Sequence, residues 1–219
     1  MMKPEYTETL RGYTIEIHQD EDPFFSPKEN ADKHAFLVYG HRDFTVYGPN
    51  NEKAQDIHNN LDEWKETYHV WPVYTYIHSG VYLKLGSDEG LPDRQWDVSM
   101  CGYVLITKDE SEIPYPEKYA QGMIEEWNQY LSGDVWGFVI KAGEEEIRSC
   151  WGFYGLDYCK EEARSEAPDK PYCPHKNVDW EPIQVDFTNK QVEQFGTCQD
   201  CKNYVHAYYG RGEVEDATI

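Results

Sequence analysis

The sequence predicts an α+β chain: a mostly antiparallel sheet with two main helices, followed by a small β module that carries cysteines. Three observations predict it. Short runs of alternating apolar and polar residues recur along the chain, and two longer segments place apolar residues at three- and four-residue steps. Near the C-terminus, Cys173, His175, Cys198 and Cys201 crowd together beyond a Pro-Asp-Lys-Pro stretch at 168–171 that reads as a linker. The boundary therefore falls there, with residues 1–167 as an acidic domain and 168–219 as the module.

Each element follows from its local pattern. "LRGYTIEIHQ" (10–19) reads as a strand ending at the acidic turn "DEDP", and a polar loop runs on to about Asp32. "HAFLVYG" (34–40) and "DFTVYG" (43–48) read as two more strands. Ala54, Ile57, Leu61, Trp64 and Tyr68 recur at helical spacing and predict one helix over Glu52–Tyr68, capped by Asn50 or Asn51. "VWPVYTYIHSGVYLKLG" (70–86) predicts two strands joined at Ser79–Gly80. "MCGYVLITK" (100–108) is the most continuously apolar strand and is expected at the centre of the sheet. A second helix spans 116–133, with Tyr119, Met123, Trp127 and Tyr130 on its apolar face and Ser132–Gly133 at its end. "DVWGFVI" (134–140) and "EIRSCWGFYG" (146–155) form a hairpin, and "LDYCKEEARSEA" is a short closing helix. In the module, "VDWEPIQVDF", "QVEQFGTC" and "NYVHAYY" read as strands.

At 219 residues, 39% hydrophobic and 15% aromatic, the chain can bury a sizeable core despite a mean hydropathy of -0.82. No run approaches the ~18 apolar residues of a membrane helix, and the N-terminus has no signal-like apolar stretch. The expectation is a soluble, cytoplasmic protein whose cysteines stay reduced, so clustered ones are ligands rather than bridges. The formal charge is -21, from 41 acidic and 20 basic residues, and residues 1–165 carry 31 of those acids. Such a field repels phosphate backbones. It predicts either simple solubility or a protein partner with a basic surface, and not direct nucleic-acid binding.

Cys173 and His175 are separated by one residue, and Cys198 and Cys201 by two. A Cys-x-x-Cys turn lets two thiolates reach one tetrahedral ion at about 2.3 Å, and a second close pair supplies the other two donors. Thiolates and an imidazole in a set of four suit Zn²⁺ in a structural role. The segment resembles the zinc-ribbon class, whose usual form is two Cys-x-x-Cys knuckles on short strands. It departs from that class at Cys173-Pro174-His175, which makes His206 an alternative fourth ligand. Lys202 and Asn203 stand where a glycine commonly follows the second knuckle, Asn203 being the residue that tolerates a left-handed backbone. The competing readings are reduced cysteines without metal and a redox pair.

A second constellation consists of His18, Asp20, Asp22, His78, Ser79, Asp97 and Ser99. If their loops converged, His18, Asp20, Asp22, His78 and Asp97 would be candidate acid–base or metal groups of a hydrolase acting on a nucleotide or phosphoester. The plainer reading is turn residues and locally bonded histidines. Trp151, Phe153 and Tyr154 are expected in the core, with Cys101, Cys150 and Cys159 as buried small hydrophobes. No glycine-rich phosphate loop, nucleophile elbow or His-Glu-x-x-His motif occurs.

"IEIHQDEDP", "YIHSGVYL", "GDVWGFVI" and "SCWGFYGLDYCKEEA" are similar to segments of uncharacterised acidic proteins of bacteriophages and mobile elements, over residues 10–163. The resemblance implies a setting, an accessory gene in a bacterial host cell, and no catalytic residues. Together with the charge it makes the leading expectation a binding protein that inhibits a host nuclease or defence factor by imitating nucleic-acid charge. A zinc-ribbon accessory factor in transcription or replication is the other non-enzymatic expectation.

Overall fold

The computed structural model describes residues 3–23, 26–28, 33–41, 44–108, 113–186 and 191–208. In chain order the elements are β1 (Tyr6–Leu10), β2 (Tyr13–Gln19), β3 (Ala35–Gly40), β4 (Thr45–Val46), α1 (Ala54–Asn59), α2 (Leu61–Thr67), β5 (Tyr68–Ile77), β6 (Val81–Leu85) and β7 (Val98–Thr107). They continue with α3 (Pro116–Ser132), β8 (Val135–Ala142), β9 (Glu145–Tyr154), α4 (Leu156–Glu166), β10 (Val178–Trp180), β11 (Gln184–Asp186), β12 (Gln191–Cys198) and β13 (Tyr204–Tyr208). The fold is α+β, and every strand pair among the described residues is antiparallel.

The acidic body holds two sheets where the sequence predicts one. The four-stranded sheet runs β1-β2-β8-β9 and the five-stranded sheet runs β4-β3-β7-β5-β6. β7 is central in the larger sheet, as its continuous apolar run requires. The predicted strand over 10–19 is in fact the second arm of a hairpin. Arg11 and Gly12 both take positive φ (52° and 85°), the two-residue turn that matches strand twist.

The predicted helix over 52–68 breaks at Asn60 (φ -125°, ψ 33°) into α1 and α2, and Tyr68 already belongs to β5. The apolar positions still serve one face. Ile57 is fully buried against Val38, Tyr103 and Leu105, with Leu61, Trp64 and Tyr68 packed around it. On the opposite face of the five-stranded sheet, α3 buries Ala120, Ile124 and Trp127 over Leu37, Val73, Leu83 and Val104. Tyr119, predicted on that face, is 40% exposed instead. Pro116 opens α3, and Gly133 closes it in the left-handed region. There the Gly133 amide donates to the Tyr130 carbonyl and the Asp134 amide to that of Gln129, capping the last carbonyls. α4 covers one face of the four-stranded sheet, burying Cys159 and Ala163 against Ile15, Ile17, Phe138 and Ile140.

β9 forms one edge of the four-stranded sheet, and its pairing with β8 is irregular at both ends, where Ile147 and Gly152 are left without opposite partners. Such bulges interrupt an edge that another chain would otherwise extend. The same exposure corrects two expectations. Cys150 is exposed rather than buried, and Trp151 is 49% exposed, lying over the bare backbone of Gly137. Cys101 is half-buried, beside the irregularity in the β5–β7 pairing.

Candidate metal centre

The module folds around β12. Its C-terminal half pairs with β10, its N-terminal half with β11, and β13 takes the other edge, so β10 and β11 act as one strand interrupted at Glu181–Ile183. Very little is buried here. Among the described side chains of residues 171–207, Cys198 alone is fully buried, while Trp180, Ile183 and Tyr204 are 41%, 56% and 63% exposed.

The cluster sits at the start of the module and at the β12–β13 turn. Cys198 ends β12, and the chain then folds tightly: the Lys202 amide donates to the Cys198 carbonyl at 2.9 Å, and the Cys198 amide to the Asn203 carbonyl at 3.0 Å. The turn needs a left-handed residue, and Lys202 supplies it at φ 62° rather than Asn203. His175 is left-handed too, at φ 50°. The Gln199 amide donates to the Asn177 carbonyl at 2.8 Å and holds the two segments together.

These constraints bring Cys173, His175, Cys198 and Cys201 into one group, with their donor atoms all within 4.8 Å of one another. The Sγ atoms of Cys173 and Cys198 lie 3.6 Å apart, as do Cys201 Sγ and His175 Nδ1. Two sulfurs each about 2.3 Å from a tetrahedral centre would be roughly 3.8 Å apart. The donors thus lie close enough to hold a metal ion. His206, the alternative ligand, is opposite Phe195 in the β12–β13 pairing, and its side chain lies outside the described residues.

The cluster holds its sulfurs in different protonation states. The backbone N–H of Cys201, the His175 ring and the Asp200 N–H stabilise the Cys198 thiolate and, with the Cys173 thiol, bring its pKa down to about 6. At Cys173 the His175 N–H pulls the same way, but desolvation and hydrogen bonds with the neighbouring cysteine sulfurs outweigh it and the pKa rises. One sulfur is thus held towards the thiolate and the next towards the thiol. A metal ion bound by such a set would displace the thiol protons.

The second constellation separates into two places. His18 lies on the four-stranded sheet, where its Nε2 is 3.3 Å from Glu16 Oε2, and that carboxylate also pairs with Lys141 at 2.8 Å. Lys141 is the first cause of the lowered pKa of Glu16. The Asp20 amide donates to the Val135 carbonyl, and Asp22 is exposed. His78 and Asp97 do meet, Nδ1 to Oδ2 at 3.4 Å, at an end of the five-stranded sheet. Ser79 and Ser99 are exposed, and Ser99 Oγ lies 3.1 Å from Cys101 Sγ. Among the described residues, the Cys173 cluster is the one group of three or more such donors close enough to share an ion. Sequence reasoning missed Glu16 as the partner of His18. The signal was present, because residues i and i+2 of a strand share a face.

Comparisons with protein-family models, curated proteins and solved structures return no match. Among the described residues, no helix is long and apolar enough to cross a membrane.

Proposed function

We propose that this chain is a non-catalytic binding protein in which a structural Zn²⁺, held by Cys173, His175, Cys198 and Cys201, staples a ribbon-like module to an acidic body that engages a basic protein surface. The observation that carries the metal half is that the module's one fully buried described side chain is Cys198, itself a donor. So small a unit has too little apolar burial to offset its chain entropy without a cross-link. Soft sulfur donors and an imidazole in a closed set of four select zinc over hard cations. The bound ion would fix the module's fold and would leave no site for substrate.

The partner half rests on charge. With 31 acids in residues 1–165, the body attracts basic proteins and repels polynucleotides. In the phage or mobile-element setting that the sequence resembles, a host nucleic-acid-binding enzyme is the natural target, inhibited by charge imitation. The test is metal analysis of the purified chain together with a nuclease-inhibition assay over a salt series. One zinc per chain, loss of module protection from proteolysis on chelation, and salt-sensitive inhibition are expected. A module that stays folded after complete metal removal overturns the first half, and tight, salt-sensitive capture of DNA or RNA by the chain overturns the second.

A further inference from the structure

The face of the five-stranded sheet opposite α3 is only half covered. α1 and α2 sit over Val38, Tyr103 and Leu105. Beyond them the same face continues through Tyr74, paired across β5 with Lys84 and Met100, and then Tyr76, paired with Tyr82 and Val98. The buried Val73, Thr75 and Leu83 alternate with these residues and point the other way, which fixes the direction of the tyrosines. Tyr74 and Tyr76 are half-buried here. Tyr82 is 49% exposed and Met100 37%. Trp96, in the loop that leads into β7, is 87% exposed. His78 extends the surface, its ring nearly parallel to that of Tyr76 at 9° and 6.3 Å.

The border of this face is acidic. The loop between β6 and β7 carries Asp88, Glu89, Asp93 and Asp97, and Lys84 ties it to the face by donating to the Glu89 carbonyl. The cations at this end are engaged locally: Lys84 in that bond, and Arg94 with Asp88 at 3.8 Å. Aromatic rings beside a loop that carries carboxylates offer two complementary attractions to a guanidinium or ammonium group. The ring faces attract it through their quadrupole and the carboxylates through charge.

We propose that this partly covered half-face, centred on Tyr76 and Tyr82 and bordered by the loop that carries Asp88, Glu89, Asp93, Trp96 and Asp97, is the docking surface for an arginine- or lysine-rich segment of the partner protein. The proposal rests on the charge-directed reading above and adds a place and a chemistry to it. An extended segment fits the pleated surface, laying alternate cationic side chains against the tyrosine rows while the loop carboxylates meet those that overhang.

The test uses the full chain and a labelled octa-arginine peptide, titrated by fluorescence anisotropy at low and high salt. The native chain is expected to bind, more weakly as salt rises. The Tyr82→Ala, Trp96→Ala double variant, changed only at exposed positions, is expected to bind about tenfold more weakly, the loss of two surface cation–π contacts. A Glu144→Gln, Glu145→Gln, Glu146→Gln variant removes three carboxylates at the β8–β9 turn and is expected to change affinity less than the double variant does. Circular dichroism of each variant guards against misfolding. If the native chain does not bind the peptide, the charge-directed reading itself falls. If it binds but the aromatic variant binds equally well, or the hairpin variant weakens binding as much, the location falls while the reading stands. Equal binding of an uncharged oligosaccharide, lost in the aromatic variant, overturns the cationic occupant.

Discussion

The side-chain amide of Asn128 grips the backbone of Leu83 from both sides. Its Oδ1 accepts from the Leu83 N–H at 2.7 Å, and its Nδ2 donates to the Leu83 carbonyl at 2.9 Å. β6 is an edge strand, and Asn128 on α3 takes the place of the next strand at Leu83. It satisfies two backbone groups at a fully buried residue and fastens helix to sheet.

Replacing that amide leaves both groups unpaired. Asn128→Ala is expected to lower stability by about 1–3 kcal/mol, the range for stranding buried polar groups. Urea unfolding would measure it, and hydrogen exchange at the Leu83 amide should speed up in the same variant. An unchanged exchange rate would mean that another group protects the edge.

Two glycines should respond oppositely to the same added methyl. A Cβ at Gly102 would overlap the Val38 carbonyl oxygen and meet Tyr39 Cα at 3.0 Å, both of them backbone. Gly102→Ala is therefore expected to cost about 1–3 kcal/mol. At Gly122, inside α3, a Cβ would meet nothing within 4 Å. Gly122→Ala is expected to stabilise by about 0.5–1 kcal/mol through helix propensity and a less flexible unfolded chain. Thermal unfolding of the two variants decides both signs.

Glu8 on β1 pairs with Arg164 on α4, with Oε1 to Nε at 2.7 Å and Oε2 to Nη2 at 2.9 Å. The guanidinium holds the carboxyl below its ordinary 4.5. A carboxylate depressed in the folded state contributes stability above its unfolded value and loses it as pH falls through the folded value. Stability should thus drop between neutral and acid pH by more in the native chain than in Glu8→Gln. Parallel acid-limb slopes in denaturant titrations would remove the pair from the explanation.

The thiols should label in a fixed order. Cys150 is exposed, whereas Cys159 is buried on the inner face of α4 and its pKa is pushed up to about 12 by desolvation, with Cys150 nearby adding to it. A thiolate-specific reagent is expected to modify Cys150 first and Cys159 only on unfolding. With metal bound, Cys173, Cys198 and Cys201 should be protected, and a chelator should expose them. Labelling of those three at the rate of Cys150 before chelation would argue against an occupied site.

Much of the secondary structure was legible because it is written in neighbouring residues. The alternation in "VWPVYTYI" and the three- and four-residue steps of Ile124 and Trp127 act within a few positions. The donor cluster was legible for the same reason, since both halves are short motifs whose spacing already brings their atoms close. The break at Asn60 was not, because the apolar steps from Ala54 to Tyr68 are kept across it and only the demand of β5 for Tyr68 ends the helix early. Nor did spacing indicate that His18 and His78 lie on different sheets, or that Cys150 faces solvent.

The sequence by itself determined the α+β character, the acidic field and the three clustered thiols, with His175 or His206 beside them, because composition and periodicity are properties of adjacent residues. Only the tertiary structure decided how the strands divide into two sheets, that Cys173 and Cys198 stand 3.6 Å apart, and that Tyr82 and Met100 face solvent. Those outcomes depend on pairings between residues far apart in the chain. They are settled by which surfaces bury one another, and no local pattern records that choice.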